Sequence, residues 1–159
     1  MRDTLAMITL EPLLSFTNPI TVQAIGRTPF GTRTTYVIGE GQFTGARLRG
    51  RILPGGGDWM LEGADGLCRL DVRKTFETDD GALIDVRYIG LYQVSDAVNA
   101  CLASGGSCQF GDTLFQVQAQ FETSDTRYAW LNRTVAVGEG RETAEGVVYQ
   151  LYALEHAQP

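Results

Sequence analysis

Hydrophobic and polar residues alternate along much of this 159-residue chain. The alternation is clearest in residues 42–54, where arginines at positions 47, 49 and 51 alternate with Leu48, Gly50 and Ile52. Because successive side chains of a β-strand point to opposite faces, a period of two predicts strands. The β-prone segments are residues 7–16, 20–25, 34–39, 42–54, 59–62, 67–76, 82–89, 113–122, 127–137 and 147–154.

The breaks between these segments predict the architecture. Residues 54–57, Pro-Gly-Gly-Gly, are typical of a flexible turn, and the only predicted helix covers residues 95–103, with Ser95 as its N-cap and glycines 105 and 106 after its end. Many short strands and one short helix indicate an all-β fold, either an antiparallel sandwich or an antiparallel β-barrel. We favour the barrel because closure removes exposed edge strands, and we expect one domain over residues 1–159.

One short segment occurs twice. Phe76-Glu77-Thr78-Asp79-Asp80 returns 45 residues later as Phe121-Glu122-Thr123-Ser124-Asp125. Each copy ends a β-prone stretch, reaches a polar turn and precedes another β-prone stretch, which predicts two equivalent β-hairpins. Aligning the copies predicts an apolar face that includes Phe76, Ile84, Val86, Phe121 and Leu131. It predicts an opposite, polar face that includes Glu77, Arg87, Glu122, Trp130 and Asn132.

The polar face has two interpretations that the sequence leaves open. It is either the solvated outside of the barrel, or the lining of a lumen that binds a ligand. Trp130 and Asn132 favour the lumen, because a large indole is less expected on a solvated surface. In that case Glu77 or Glu122 would be the general acid or base, and Arg87 would hold a carboxylate or stabilise an enolate.

Residues next to glycine-rich or turn segments supply further candidates. Asp58-Trp59 follows the Pro-Gly-Gly-Gly segment, so the pair either contributes to a binding site or caps the turn and plugs a barrel end. Tyr128, Trp59 and Trp130 would provide the wall against which a ligand stacks, and Asn132 would join Arg87 in an electrostatic clamp.

Composition excludes several classes of function. A net charge of −6 argues against nucleic acid or an anionic membrane as a partner. The single histidine, His156, lies near the C-terminus, which makes histidine-based catalysis or metal binding improbable. Three cysteines without paired spacing predict neither a disulfide framework nor a zinc site. No nucleotide-binding motif is present, so we expect no metal and no cofactor. The N-terminal residues lack a signal peptide or anchor, which favours a cytoplasmic protein.

Several motifs together resemble a known family. They are Gly41-Gln42-Phe43-Thr44-Gly45, residues 53–59 with the sequence Leu-Pro-Gly-Gly-Gly-Asp-Trp, the two Phe-Glu-Thr segments, and residues 128–133 with the sequence Tyr-Ala-Trp-Leu-Asn-Arg. This set resembles the uncharacterised family known as domain of unknown function 3237. The resemblance implies a compact β-barrel similar to the allene oxide cyclase and dirigent barrels of the lipocalin-like group. Those relatives guide cyclisation or coupling of small molecules, but the resemblance brings no catalytic residues with it.

The resulting hypothesis is a small-molecule-binding β-barrel. Its partner would be a small aromatic or polyketide-like compound, on which it would act as a cofactor-free isomerase, cyclase or lyase. The alternatives are a non-catalytic ligand carrier or sensor, and a homo-oligomeric structural module whose Trp130 face packs against a neighbouring subunit.

Overall fold

The computed structural model describes residues 7–156, which form ten β-strands, one α-helix and one 3-10 helix. The strands are β1 (Ile8–Asn18), β2 (Ile20–Thr28), β3 (Gly31–Ile38), β4 (Gly41–Thr44), β5 (Arg49–Glu62), β6 (Cys68–Thr78), β7 (Leu83–Gln93), β8 (Leu114–Glu122), β9 (Val135–Thr143) and β10 (Gly146–His156). Helix α1 covers Asp96–Ala103, and the 3-10 helix covers Thr126–Arg133. Neither helix in this part of the chain is long and apolar enough to cross a membrane.

Eight of the strands close into a barrel. Their order is β5-β4-β1-β10-β9-β8-β7-β6, and β6 pairs with β5 to complete the ring. Every pairing is antiparallel, and β3 with β2 extends the sheet from the second half of β5. The predicted all-β antiparallel barrel with one short α-helix is therefore confirmed. The likeness to allene oxide cyclase barrels stays a prediction.

The Pro-Gly-Gly-Gly segment is not a turn, so the predicted break at residues 54–57 is wrong. These residues form a bulge inside the single strand β5. Leu53 pairs with Thr75 and Gly57 pairs with Arg73, so three residues of β5 lie opposite one residue of β6. Gly55 has a φ of +108°, a conformation that favours glycine. The bulge adds two residues, so the alternation of faces continues across it. The first half of β5 pairs with β4 and the second half with β3.

The two copies of the repeated segment fold differently. The first forms the predicted hairpin between β6 and β7, with the Ala82 N–H donating to Thr78 Oγ1 over 2.8 Å. The second ends β8 but leads into the 3-10 helix, so the strand predicted at residues 127–137 is wrong before Val135. Asp125 begins this helix by accepting from the Arg127 N–H at 2.9 Å.

The second copy departs from the first in fold but still contributes to the core. Leu131 of the 3-10 helix is completely buried and belongs to the apolar core. The aligned residue of the first copy, Val86 of β7, is also completely buried. The helix closes one end of the barrel, where Phe43 and Phe76 stack at 4.4 Å between ring centroids.

Candidate functional site

The half of the barrel away from the 3-10 helix contains a cavity of about 140 Å³. Its lining comes from the ends of β7, β8, β9 and β10 that face away from that helix, together with β1, β2, β3, β5 and β6. The lining residues are Asn18, Ile20, Tyr36, Ile38, Asp58, Met60, Leu70, Val72, Lys74, Tyr88, Tyr92, Phe115, Glu142, Val147 and Tyr149. Aromatic and aliphatic walls surround a few ionisable groups, the composition typical of a small-molecule site.

Lys74 lines this cavity and is the only lysine in the chain. Strand β6 buries every second residue, and the alternation that turns Val72 and Phe76 inward also turns Lys74 inward. Only 3% of Lys74 is exposed. Its Nζ donates to Asn18 Oδ1 at 2.7 Å. Asn18 is itself oriented by the bond from its Nδ2 to the Pro19 carbonyl at 3.2 Å.

Burial shifts the pKa of two ionisable groups that line the cavity, Lys74 and Asp58. The loss of solvent lowers the pKa of Lys74 to about 7, although the charge of Asp58 opposes the shift. The same loss raises the pKa of Asp58 to about 6, partly offset by the Asp71 N–H, which donates to its carboxylate at 3.1 Å, and by Lys74. An amine and a carboxyl that both titrate near neutral pH therefore share one small cavity.

Tyrosines complete the polar part of the wall. Burial raises the pKa of Tyr88 and of Tyr149, so both phenols keep their protons at neutral pH. Tyr92 donates to the Glu142 carboxylate, and burial together with that bond raises its pKa as well. The cavity thus offers hydroxyl donors around the amine. Among residues 7–156, no group of three or more His, Cys, Asp or Glu side chains is arranged to hold a metal ion.

The structure brings only Asp58 of the sequence-predicted site residues to the cavity. Trp59, the next residue of β5, points to the other face and is 44% exposed. Glu77 lies on the outside of the barrel and forms an ion pair with Arg51 at 2.6 Å. Arg87 and Glu122 are also exposed on the outer face. Strand β7 separates Glu77 on β6 from Glu122 on β8, so the two carboxylates do not form a pair.

The other predicted ligand-binding residues lie in the 3-10 helix, at the far end of the barrel. The Tyr128 hydroxyl donates to the Asp80 carboxylate at 2.9 Å. Asn132 accepts from the Thr123 N–H at 2.8 Å and donates to the Thr123 carbonyl at 2.9 Å. Trp130 lies under the guanidinium of Arg47, 3.5 Å from the ring centroid. These contacts hold the end closure in place, and the ligand-binding role predicted for the three residues stays a prediction.

The sequence analysis missed Lys74, although two signals for it were present. The alternation that places Glu77 on the polar face places Lys74 with Phe76 on the apolar one. A charged residue on the apolar side of a strand is rarely buried without a role. The second signal is that all twelve other basic residues are arginines. Among the basic residues that the structure describes, Lys74 is the buried one.

The closed sheet and its interior define a small β-barrel protein whose lumen is lined by a buried amine and a half-buried carboxyl. The chain belongs to the family described as Protein of unknown function (DUF3237), whose model matches residues 8–154. This confirms the family resemblance inferred from the motifs.

Solved and curated relatives agree with the fold. A β-barrel-like protein from Acinetobacter baumannii shares 37% sequence identity, with a TM-score of 0.77 over 94% of this chain and 97% of the other. A UPF0311 protein of Clostridium acetobutylicum is 29% identical over 124 residues, which cover 78% of each chain. An enzyme from Penicillium herquei has 21% identity and a TM-score of 0.71, covering 98% of both chains. At that identity the similarity shows the fold alone.

Proposed function

We propose that this protein binds a small organic molecule inside the barrel and catalyses a cofactor-free proton transfer on it, in an isomerisation, cyclisation or lyase step. The observation that carries the proposal is the shared cavity of Lys74 and Asp58, two groups whose pKa values burial moves towards neutrality. Perturbed titratable groups within a cleft are a physical sign of an acid–base site.

The size of the cavity limits the ligand. About 140 Å³ is close to the roughly 150 Å³ of an engineered apolar cavity that holds benzene. The aromatic walls suit a flat or cyclic molecule, because Tyr88 and Tyr149 lie 5.4 Å apart by ring centroid and Phe115 packs edge-on against Tyr149. A ligand with one six-membered ring and a polar substituent would fill this space.

The polar groups suit the making and breaking of a C–H bond next to a carbonyl. At neutral pH a large fraction of Lys74 is uncharged and can accept a proton, which an ordinary lysine cannot do. Asp58 can return a proton because part of it is protonated near pH 6. The tyrosine hydroxyls can donate to the oxygen on which negative charge develops.

The related fold also supports catalysis as a use of this barrel. The Penicillium herquei protein of the same fold is described as an enzyme. A fold alone specifies no reaction, so the proposal depends on the cavity of this chain and not on that likeness.

Deuterium exchange into a small ketone tests the proposal. Cyclohexanone fits the size limit and carries acidic α-hydrogens, whose replacement in D₂O is followed by NMR. We expect the wild-type protein to accelerate the exchange, and Lys74→Met and Asp58→Asn to lose most of the acceleration. Arg73→Met is the matched control, because Arg73 lies on the same strand but faces outward.

The outcomes separate catalysis from ligand carriage. Exchange that depends on Lys74 and Asp58 but not on Arg73 would support the proposal. Binding of cyclohexanone without exchange would contradict catalysis and favour a carrier. Equal exchange by wild type and Lys74→Met, with both variants folded by circular dichroism, would show that the cavity is not the site.

A further inference from the structure

We infer that Lys74 acts as a nucleophile and forms an imine with the carbonyl carbon of an aldehyde or ketone bound in the barrel. This inference rests on the proposed function, because it needs the same cavity and the same ligand. It goes further by naming the substrate class and a covalent intermediate.

The choice of basic residues is the first observation. The chain has thirteen Lys and Arg residues, and the only lysine among them is the one inside the barrel. A guanidinium stays protonated and is not a nucleophile, whereas a primary amine adds to carbonyl compounds when it is neutral. An amine is thus present at the one buried position where it would meet a ligand, while the positions that need only charge are arginines.

The surroundings of Nζ are the second observation. An ammonium has three N–H donors, but in the described part of the chain Nζ has a single hydrogen bond, to Asn18 Oδ1. Among residues 7–156 no carboxylate lies within 4.0 Å of it. Its other neighbours are aromatic rings, with the centroids of Phe16 at 4.4 Å and Tyr88 at 5.2 Å. A neutral amine that donates once to Asn18 keeps its lone pair for an electrophile.

The chemistry balances with groups that the cavity holds. The Nζ lone pair attacks the carbonyl carbon, the C=O π electrons move to oxygen, and that oxygen takes the proton of protonated Asp58 to give a carbinolamine. The nitrogen then loses one proton to the Asp58 carboxylate by way of a water molecule, because the two groups are more than 4.0 Å apart. Asp58 then returns this proton to the carbinolamine hydroxyl, which leaves as water while the C=N bond of the iminium forms.

An iminium would make the α-hydrogen of the ligand easier to remove than it is in the free ketone. Its positive nitrogen draws electrons from the adjacent carbon, so the Asp58 carboxylate can take an α-hydrogen as a proton, and an enamine results. Reprotonation at carbon followed by addition of water regenerates the ketone and Lys74. The cycle consumes no oxidant, no reductant and no cofactor.

Reductive trapping tests the inference directly. The wild-type protein is incubated with cyclohexanone and sodium cyanoborohydride near neutral pH, where hydride adds to the iminium carbon and leaves a stable cyclohexyl secondary amine. Intact mass gives the number of adducts, and peptide mapping gives their position. We expect the first adduct on Lys74, formed faster than any adduct on the α-amine. The α-amine of the same chain serves as an internal reference, so the test does not depend on any variant folding.

A relocated lysine provides the matched comparison. The double variant Arg73→Lys with Lys74→Met carries its only lysine one position away, on the exposed face of β6. We expect Lys74 of the wild type to be trapped at least about a hundredfold faster than this exposed lysine, because the neutral fraction of an ordinary lysine near pH 7 is roughly a thousandth.

The results distinguish this inference from the function on which it rests. Rapid, selective trapping at Lys74 supports it. If deuterium exchange depends on Lys74 but no adduct forms, the imine is overturned and acid–base catalysis stands. If neither binding nor exchange occurs, both proposals fail. Trapping at Lys74 no faster than at the exposed lysine also overturns the imine.

Discussion

Replacing Lys74 with methionine should change how the stability of the protein depends on pH. Lys74 is buried and its pKa is lowered from 10.5 to about 7, whereas the unfolded chain exposes the amine to water. Between these two pKa values the unfolded state binds a proton that the folded state has released. The free energy of unfolding must therefore rise with pH across this window. Methionine fills a similar volume and does not titrate.

The magnitude follows from the two pKa values. A lowering from 10.5 to about 7 corresponds to a destabilisation of at most about 5 kcal/mol for the protonated form, since each pKa unit is worth about 1.4 kcal/mol. Most of this destabilisation is still present at pH 7, and about half of it is relieved by pH 9. We expect the free energy of unfolding of the wild type to gain about 2 kcal/mol over that interval, relative to Lys74→Met.

Urea unfolding at several pH values between 7 and 9 measures this difference. Using the difference between two proteins cancels the groups that titrate equally in both, such as Cys68, whose pKa burial raises to about 11. The charge of Asp58 opposes the lowering of the Lys74 pKa, so the pair of proteins is also compared in an Asp58→Asn background. A difference curve that is flat from pH 7 to 9 would refute the lowered pKa of Lys74 and the reasoning built on it.

Three further changes test neighbouring parts of the structure. Asn18→Asp should raise the pKa of Lys74 by at least about one unit, because a carboxylate would replace the amide that lies 2.7 Å from Nζ. NMR of the reductively ¹³C-methylated amine measures this pKa, and an unchanged value would contradict the contact. Gly56→Ala should destabilise the protein by about 2 kcal/mol or more, because the new Cβ would lie 2.9 Å from Lys74 Cα; an unchanged urea midpoint would show that the bulge can relax. Glu77→Gln and Glu122→Gln should leave ketone exchange unaltered, because both side chains lie outside the barrel, and a loss of exchange would restore them as site residues.

The elements that periodicity identifies well are the strands with one buried face. Strand β6 shows this clearly, since its residues from Cys68 to Thr78 alternate between buried and less buried positions as the sequence does. The 3-10 helix shows the opposite case. Residues 126–133 follow the second Phe-Glu-Thr motif as β7 follows the first, yet they form a helix, although Leu131 is as buried as the aligned Val86. The local motif therefore does not determine which of the two structures forms.

The candidate site divides in the same way. The sequence by itself determined that β6 has an apolar face and that Lys74 falls on it, because the alternation of a strand is a local property. It did not determine which face of the sheet lines the lumen. Closure into a barrel decided that, and it left Glu77, Arg87 and Glu122 outside while enclosing Lys74.

Only the tertiary structure brought the amine of Lys74 into one cavity with Asn18 and Asp58. Lys74 lies on β6, Asn18 on β1 and Asp58 on β5, and the register of a closed sheet brings these distant positions around one cavity. Their altered pKa values also arise there, because burial acts through the surrounding protein and not through the adjacent residues of the chain. The sequence thus determined the strands and the single lysine. The closed barrel placed that lysine in a cavity and lowered its pKa by burial.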